Sequence, residues 1–318
     1  MVKRKIGILL LLICFCTGFF PRHAQAITVE DAQEKIDPEK TCSLTMSYCY
    51  DGVAFSDATV KLYKIADVSA DCHYTLTSAF SGSALIINGI RSQGEWDGIR
   101  TTLEAYIIAH HIPADHTTAT DPDGQASFEA LETGLYLAVV GEVAQGDLRC
   151  YFASALVALP GLNEDGYWQY QVEVHAKAAA LPPVDPEETI DLKVLKLWKG
   201  DEGRNDRPKS VEIEIFRNGV SYKTVTLSQE NNWCYNWSAK DEGASWMVME
   251  RNIPAGYMMM VEERGSSFVV TNTLNIPEPP VDPPKTGDTF NLLLPILLLG
   301  ISGSALLLLG IAGKRKDK

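Results

Sequence analysis

The sequence predicts a mainly β protein: two β-sandwich domains in tandem, the first with a helical insertion, followed by a C-terminal transmembrane helix. Short runs of alternating apolar residues, bounded by Gly, Pro, Asn and Asp, recur from Cys42 to Thr273. One stretch, near 95–111, instead places Trp96, Ile99, Leu103 and Ile107 at spacings of three and four, the stripe of a helix ended by Ile112-Pro113. Phe290–Gly313 is an almost uncharged run, long enough to cross a hydrocarbon core of roughly 30 Å at about 1.5 Å per residue.

The two ends agree with export. Lys3, Arg4 and Lys5 precede the apolar run Ile6–Phe20, and Ala24-Gln25-Ala26 is a small-residue cleavage site. Residues 1–26 therefore read as a secretory signal peptide, with cleavage between Ala26 and Ile27. At the other end Lys314, Arg315 and Lys316 form a basic tail that stays on the cytoplasmic side of the span. The expected mature portion, 27–287, holds 20 basic and 39 acidic residues, a net of −19 against −13 for the whole chain. Such a surface argues against nucleic acid or anionic membrane as partner.

Cys42, Cys49, Cys72, Cys150 and Cys234 lie in that portion, an odd number, so at least one is unpaired within the chain. The first four allow one or two bridges, and their pairing stays open. Cys42 and Cys49 fall on opposite faces of one strand-like run, which argues against their pairing with each other. No spacing matches a metal site, and His110, His111 and His116 read as a helix end and its exit. No cofactor motif is present in the sequence, and no Ser/His/Asp, Cys/His or metal constellation suggests an enzyme acting on outside substrates.

Taken in order, residues 27–40 read as a flexible leader and 41–177 as the first domain. Its expected strands are Leu44–Tyr50, Thr59–Ile65, Tyr74–Leu76, Ala126–Phe128, Gly134–Val140, Cys150–Ala158 and Trp168–Val174. Residues 178–188, Ala-Ala-Ala-Leu-Pro-Pro-Val-Asp-Pro-Glu-Glu, read as a Pro-rich linker that stays out of any sheet. The second domain spans 189–275, with strands at Ile190–Trp198, Val211–Phe216, Val220–Leu227, Trp233–Trp237, Trp246–Glu250, Tyr257–Glu262 and Phe268–Thr273. Asn218-Gly219 joins two of them in a tight hairpin. Short strands at this density indicate an immunoglobulin-like sandwich. A second Pro-rich stalk, 276–284, leads to the terminal segment 283–318.

Strand parity singles out three residues of the second domain. Lys196 shares an apolar row with Leu192, Val194 and Trp198; Glu250 shares one with Trp246 and Val248; Asn272 shares one with Phe268 and Val270. A lysine and a glutamate buried without partners cost several kcal/mol, so the three should meet. In a dry core both charges are disfavoured, which leaves a neutral amine as nucleophile and a carboxylic acid hydrogen-bonded to the Asn carbonyl. Lys196 can then attack Asn272 Cγ, Glu250 can shuttle the proton, and ammonia leaves. The product is an amide between the first and last strands of the domain.

Lys196-Leu-Trp198, Arg207-Pro208, Trp233, the segment Glu250 to Tyr257 and Val270-Thr-Asn-Thr273 resemble the Cna protein B-type domain of Gram-positive surface proteins. The segment from Glu250, with Pro254, Gly256 and Tyr257, resembles the pilin E-box, although Arg251 stands where Thr is frequent. The resemblance implies a self-made Lys196–Asn272 isopeptide bond assisted by Glu250. Thr120-Asp-Pro-Asp-Gly124, Phe128, Leu131 and Gly134-Leu-Tyr136 resemble the same superfamily more loosely, so the fold implied is a Cna-B-type sandwich in each domain. Val140 stands where the first domain's glutamate would fall and Leu44–Tyr50 contains no lysine, so no such bond is expected there.

Two further resemblances concern attachment. Pro283-Pro284-Lys285-Thr286-Gly287 resembles the Leu-Pro-x-Thr-Gly signal cut by sortase, with cleavage implied between Thr286 and Gly287; Pro283 in place of Leu leaves the sortase class open. Trp168, Val172, Val174 and Lys177 match the pilin motif whose lysine accepts a threonine carbonyl, with His175 and Ala176 in place of Tyr-Pro. Parity turns Lys177 away from the apolar face. The whole is similar to a small, sortase-anchored pilin subunit of ancillary or basal type. Its implied partners are sortase, the peptidoglycan cross-bridge, other pilin subunits and a host or surface ligand, at the cell wall. A backbone pilin, or a stand-alone wall-linked adhesin, is the alternative.

Overall fold

A computed structural model describes residues 32–90, 92–181, 189–202, 207–240 and 242–274. The expected signal peptide with Ala26 and Ile27, the stalk, the pentapeptide 283–287 and the apolar run 290–313 lie outside the described residues. The architecture is mainly β with one α-helix among the described residues.

In chain order the first part contains β1 Cys42–Ser47, β2 Cys49–Tyr50, β3 Val53–Ala54, β4 Thr59–Val68, β5 Tyr74–Leu76, α1 Gln93–His110, β6 His116–Ala119, β7 Gln125–Leu131, β8 Gly134–Val139, β9 Gly141–Gln145, β10 Leu148–Phe152, β11 Ala155–Leu159, β12 Gly161–Leu162, β13 Trp168–Gln169, β14 Gln171–His175 and β15 Ala178–Ala180. The sheets run β14-β1-β7, β15-β10-β9 and β11-β8-β4-β5 with β6 beside β4. Leu44, Met46, Val60, Leu62, Phe128, Tyr136 and Phe152 fill one core between them.

The helix starts where its chemistry allows. The Ser92 hydroxyl accepts from Glu95 N while the Glu95 carboxylate accepts from Ser92 N, a reciprocal capping box. It stops at His111, whose left-handed φ of 52° lets its N–H reach back to the last turn. The histidine pair thus marks a helix end, as the sequence suggests.

The described parts of the expected flexible leader and of the expected sheet-free linker are both structured. Within the leader, Ile36 is buried beside Val68 and Trp168, and the Trp168 indole donates to Glu34 O at 2.7 Å. An apolar residue with a pocket to fill outweighs the polar composition around it. Within the linker, Ala178–Ala180 pairs antiparallel with β10, Cys150 opposite Ala180, so the sheet continues past Lys177. Alanines at a sheet edge keep both backbone donor and acceptor, and the prolines begin only at Pro182.

The second part contains β16 Thr189–Lys199, β17 Ser210–Arg217, β18 Val220–Ser228, β19 Cys234–Lys240, β20 Trp246–Glu250, β21 Tyr257–Arg264 and β22 Ser267–Leu274. They form two sheets, β19-β16-β22-β21 and β18-β17-β20, that enclose Val194, Ile213, Ile215, Trp237, Val248, Met259, Phe268 and Val270. Asn218 and Gly219 both have φ near 50–75°, at 53° and 73°, the geometry a two-residue hairpin between twisted strands requires. The first and last strands, β16 and β22, are parallel neighbours in register Lys196 with Val270 and Trp198 with Asn272. The buried cluster is continuous with Ile99, Leu103, Tyr106 and Leu137 of the first part, so the two parts share apolar packing.

Candidate functional site

Lys196, Glu250 and Asn272 meet inside the second sandwich. β16 and β22 carry the amine and the amide side by side on one sheet, and β20 brings the carboxylate from the facing sheet. All three are buried, with Lys196 at 2 %, Glu250 at 1 % and Asn272 at 0 % exposure. Lys196 Nζ stands 3.5 Å from Glu250 Oε2 and donates to Leu197 O at 3.0 Å and Val270 O at 3.3 Å. Two carbonyl acceptors account for two of the amine's hydrogens, so loss of a third proton costs it no backbone hydrogen bond.

The electrostatics point the same way. Burial lowers the Lys196 amine to about 8, against the opposing pull of Glu250 and Asp201. Burial also pushes the Glu250 carboxyl above its ordinary value, against Lys196 and the Asn272 amide. Desolvation therefore outweighs the pair's mutual attraction at both partners.

One expected contact is different. Asn272 Nδ2 donates to Glu250 Oε1 at 2.9 Å, where the sequence suggested a carboxylic acid donating to the Asn carbonyl. Asn272 Oδ1 and Glu250 Oε2 are then both buried without a hydrogen-bond partner. The amide thus presents its donor, not its carbonyl, to the carboxyl. Orphaned polar atoms of this kind are costly, and a reactive centre is one place where they persist.

A second buried charge, Asp201, lies just past the end of β16 and is absent from the sequence-level site. Arg207 grips it in bidentate fashion, Nε to Oδ2 at 2.7 Å and Nη2 to Oδ1 at 2.6 Å, and the Tyr257 hydroxyl donates to Oδ2 at 2.9 Å. Trp198 closes this end: its ring centre is 4.4 Å from Lys196 Nζ and makes edge contacts with Trp233 and Tyr257. Arg207, Trp233 and Tyr257 stand among the motif residues of the sequence, but nothing in the periodicity marks Asp201 beyond Gly200.

Residues 192–273 match the Cna protein B-type domain family. This Cna B-type region contains the whole Lys196–Glu250–Asn272 cluster. Over 113 residues the chain is 30% identical to the collagen adhesin of Staphylococcus aureus, an alignment that takes 32% of this chain and 10% of that protein. The chain thus spans about a tenth of that relative's length. Among solved structures, similarity extends to the major pilin SpaD of Corynebacterium diphtheriae, with 12% identity, 76% of this chain, 99% of that chain and a TM-score of 0.27. It extends also to the fimbrial protein FimP of Actinomyces oris, with 16% identity, 72% and 62% coverage and a TM-score of 0.31.

The pilin-motif residues form a separate place in the fold. Trp168 is buried on β13, Val172 and Val174 are half-buried on β14, and Lys177 is exposed between β14 and β15. Lys177 lines a cleft with His175, Ser154, Arg100 and Glu263, away from the triad. The five cysteines among the described residues are free thiols, Cys42 and Cys150 buried and Cys49 exposed. Among the described residues no cluster of His, Cys, Asp and Glu is placed to hold a metal.

Proposed function

We propose that this chain is a cell-wall-anchored surface protein, an ancillary or basal pilus subunit, joined through Thr286 by sortase and braced by an isopeptide bond between Lys196 and Asn272. The observation that carries the bond is the buried meeting of an amine, a carboxyl and an amide on the first strand, the facing sheet and the last strand. Proton transfer from the Lys196 ammonium to Glu250 gives two neutral groups. The Lys196 lone pair then attacks Asn272 Cγ, forming the C–N bond. Glu250 passes a proton from the attacking nitrogen to Nδ2, the Cγ–Nδ2 bond breaks, and ammonia departs. Each molecule reacts once, which makes this a self-modification and the protein a structural element, not an enzyme.

The brace suits a load-bearing fibre, because a pull applied at the two ends of the domain meets a covalent tie between its terminal strands. Intact-mass measurement of residues 27–278, which contain every described element, tests it. The wild type should be lighter than its sequence by one ammonia and Glu250→Ala should have full mass. Full mass in the wild type sinks the bond. Wall fragments from cells bearing a sortase should carry Thr286 joined to the cross-bridge; chains still ending in 287–318 would overturn the anchoring.

The alignment with the collagen adhesin favours a second reading, a wall-linked adhesin that binds a host or surface ligand without polymerising. The two readings part at Lys177, which the first joins to another subunit's threonine and the second leaves as a free amine.

A further inference from the structure

β20 and β21 are the outer strands of the two facing sheets, so the sandwich has a seam between them, beside Glu250. Helix α1, from the first part of the chain, packs on both. The helix is fastened to its own part, where Arg100 donates to the Ser154 hydroxyl at 3.2 Å, Glu104 meets the same hydroxyl, and Tyr106 packs on Phe80. Its other side fits the seam closely. Gly98 lies against Met260, and a Cβ there would fall 2.5 Å from the sulfur, so a side chain at this position displaces Met260 from the seam. Thr102, with no exposed surface, accepts from Val261 N at 2.8 Å and donates to Gly98 O at 2.7 Å. The outward-facing N–H of an edge strand is thus paired by a hydroxyl from the other part of the chain. Met249 points away from the sandwich core in alternation with Val248 and Glu250, yet is 2 % exposed in the cluster that α1 shares.

From this we infer that α1 is a positioning element for amide formation in the second sandwich, and that Gly98 and Thr102 are the residues that seat it. The inference rests on the amide-forming reading of the triad. Its chemistry needs the amine and the carboxyl neutral, and water entering between β20 and β21 would return both to their charged forms. With the seam sealed, the covalent bond forms only after the two parts of the chain have docked. The lock then closes on an assembled molecule and not on an isolated sandwich. The charged groups acting on Lys196 are Glu250, Asp201 and Arg207, and all three belong to the second part; on the Glu250 side α1 brings His110, which lines a cleft with Glu212, Glu214, Glu250 and Arg251.

Residues 27–278 made by cell-free synthesis, stopped in acid at intervals and weighed intact, test this. Thr102→Ser, which keeps the hydroxyl, should lose ammonia at the wild-type rate. Thr102→Val, nearly the same shape without the acceptor, and Gly98→Leu should lose it roughly tenfold more slowly. In both slow variants the pH at half-maximal rate should move upward, because a wetter Lys196 holds its proton longer. Thr102→Val and Gly98→Leu reacting at the wild-type rate with an unmoved pH profile would overturn the role of α1 and leave the bond intact. A wild type that never loses ammonia would overturn the triad reading and this inference together.

Discussion

Lys196 Nζ and Glu250 Oε2 face each other at 3.5 Å across two sheets, and neither side chain has any surface open to solvent. A pair held at that distance without a direct hydrogen bond is a poor ion pair, and a proton passes between the two only when the gap shortens to hydrogen-bond reach. In the amide-forming reading proposed above, the third member, Asn272, on the strand next to the lysine, would supply the electrophilic carbon.

The crosslink should appear as stability. Closing most of the domain between residues 196 and 272 into a covalent loop restricts the unfolded chain, worth about 4 kcal/mol by analogy with a disulfide loop. Lys196→Ala should therefore melt far below the wild type in calorimetry. Equal melting temperatures would count against a mechanical role for the bond.

Without the bond, the pair should reveal itself in the pH dependence of folding. In Asn272→Ala the folded Lys196 gives up its proton near 8, while the unfolded lysine keeps it to 10.5. The unfolded state binds more protons in that window, so stability rises as pH rises from about 8 toward 10.5. Glu250 acts in the opposite sense at acid pH. Its folded carboxyl titrates above the ordinary 4.5, so its contribution is present below 4.5 and is lost as pH rises through the folded value. Urea unfolding of Asn272→Ala across pH reads both trends, and a flat profile on the alkaline side would contradict the lowered amine.

Asp201 should prove to be a support of the site. Asp201→Ala removes the acceptor of Arg207 and Tyr257 together and leaves both donors without it. A loss of roughly 2–4 kcal/mol in urea unfolding is expected, the range for breaking a buried, charge-assisted network. A loss below about 0.5 kcal/mol, the level of an ordinary surface change, would show the network to be idle.

Lys177 decides between subunit and lone adhesin. Tandem mass spectrometry of wall extracts should find its side chain joined to a threonine carbonyl, and Lys177→Arg should abolish the higher polymers. Unmodified Lys177 in every extract would favour the adhesin.

Much of this site is legible in the sequence because strand parity is local. A lysine, a glutamate and an asparagine, each alone in an apolar row, have nowhere to go but inward, and burial without partners is too costly unless they meet. The strand positions of the second sandwich follow from the same alternation, and the Asn218-Gly219 turn from backbone chemistry alone.

Tertiary structure decided what depends on residues far apart in the chain. It placed Glu250 on the sheet opposite Lys196 and Asn272, drew Asp201 under Arg207 and Tyr257, and paired Ala178–Ala180 with β10. The helix shows the division most clearly. Its apolar stripe of Ile99, Leu103 and Ile107 announces one buried face, whereas Gly98 and Thr102 look like surface residues until β21 is laid against them. Periodicity records which side of an element is apolar. It does not record which distant strand comes close enough to meet Gly98 with a side chain and Thr102 with a backbone N–H.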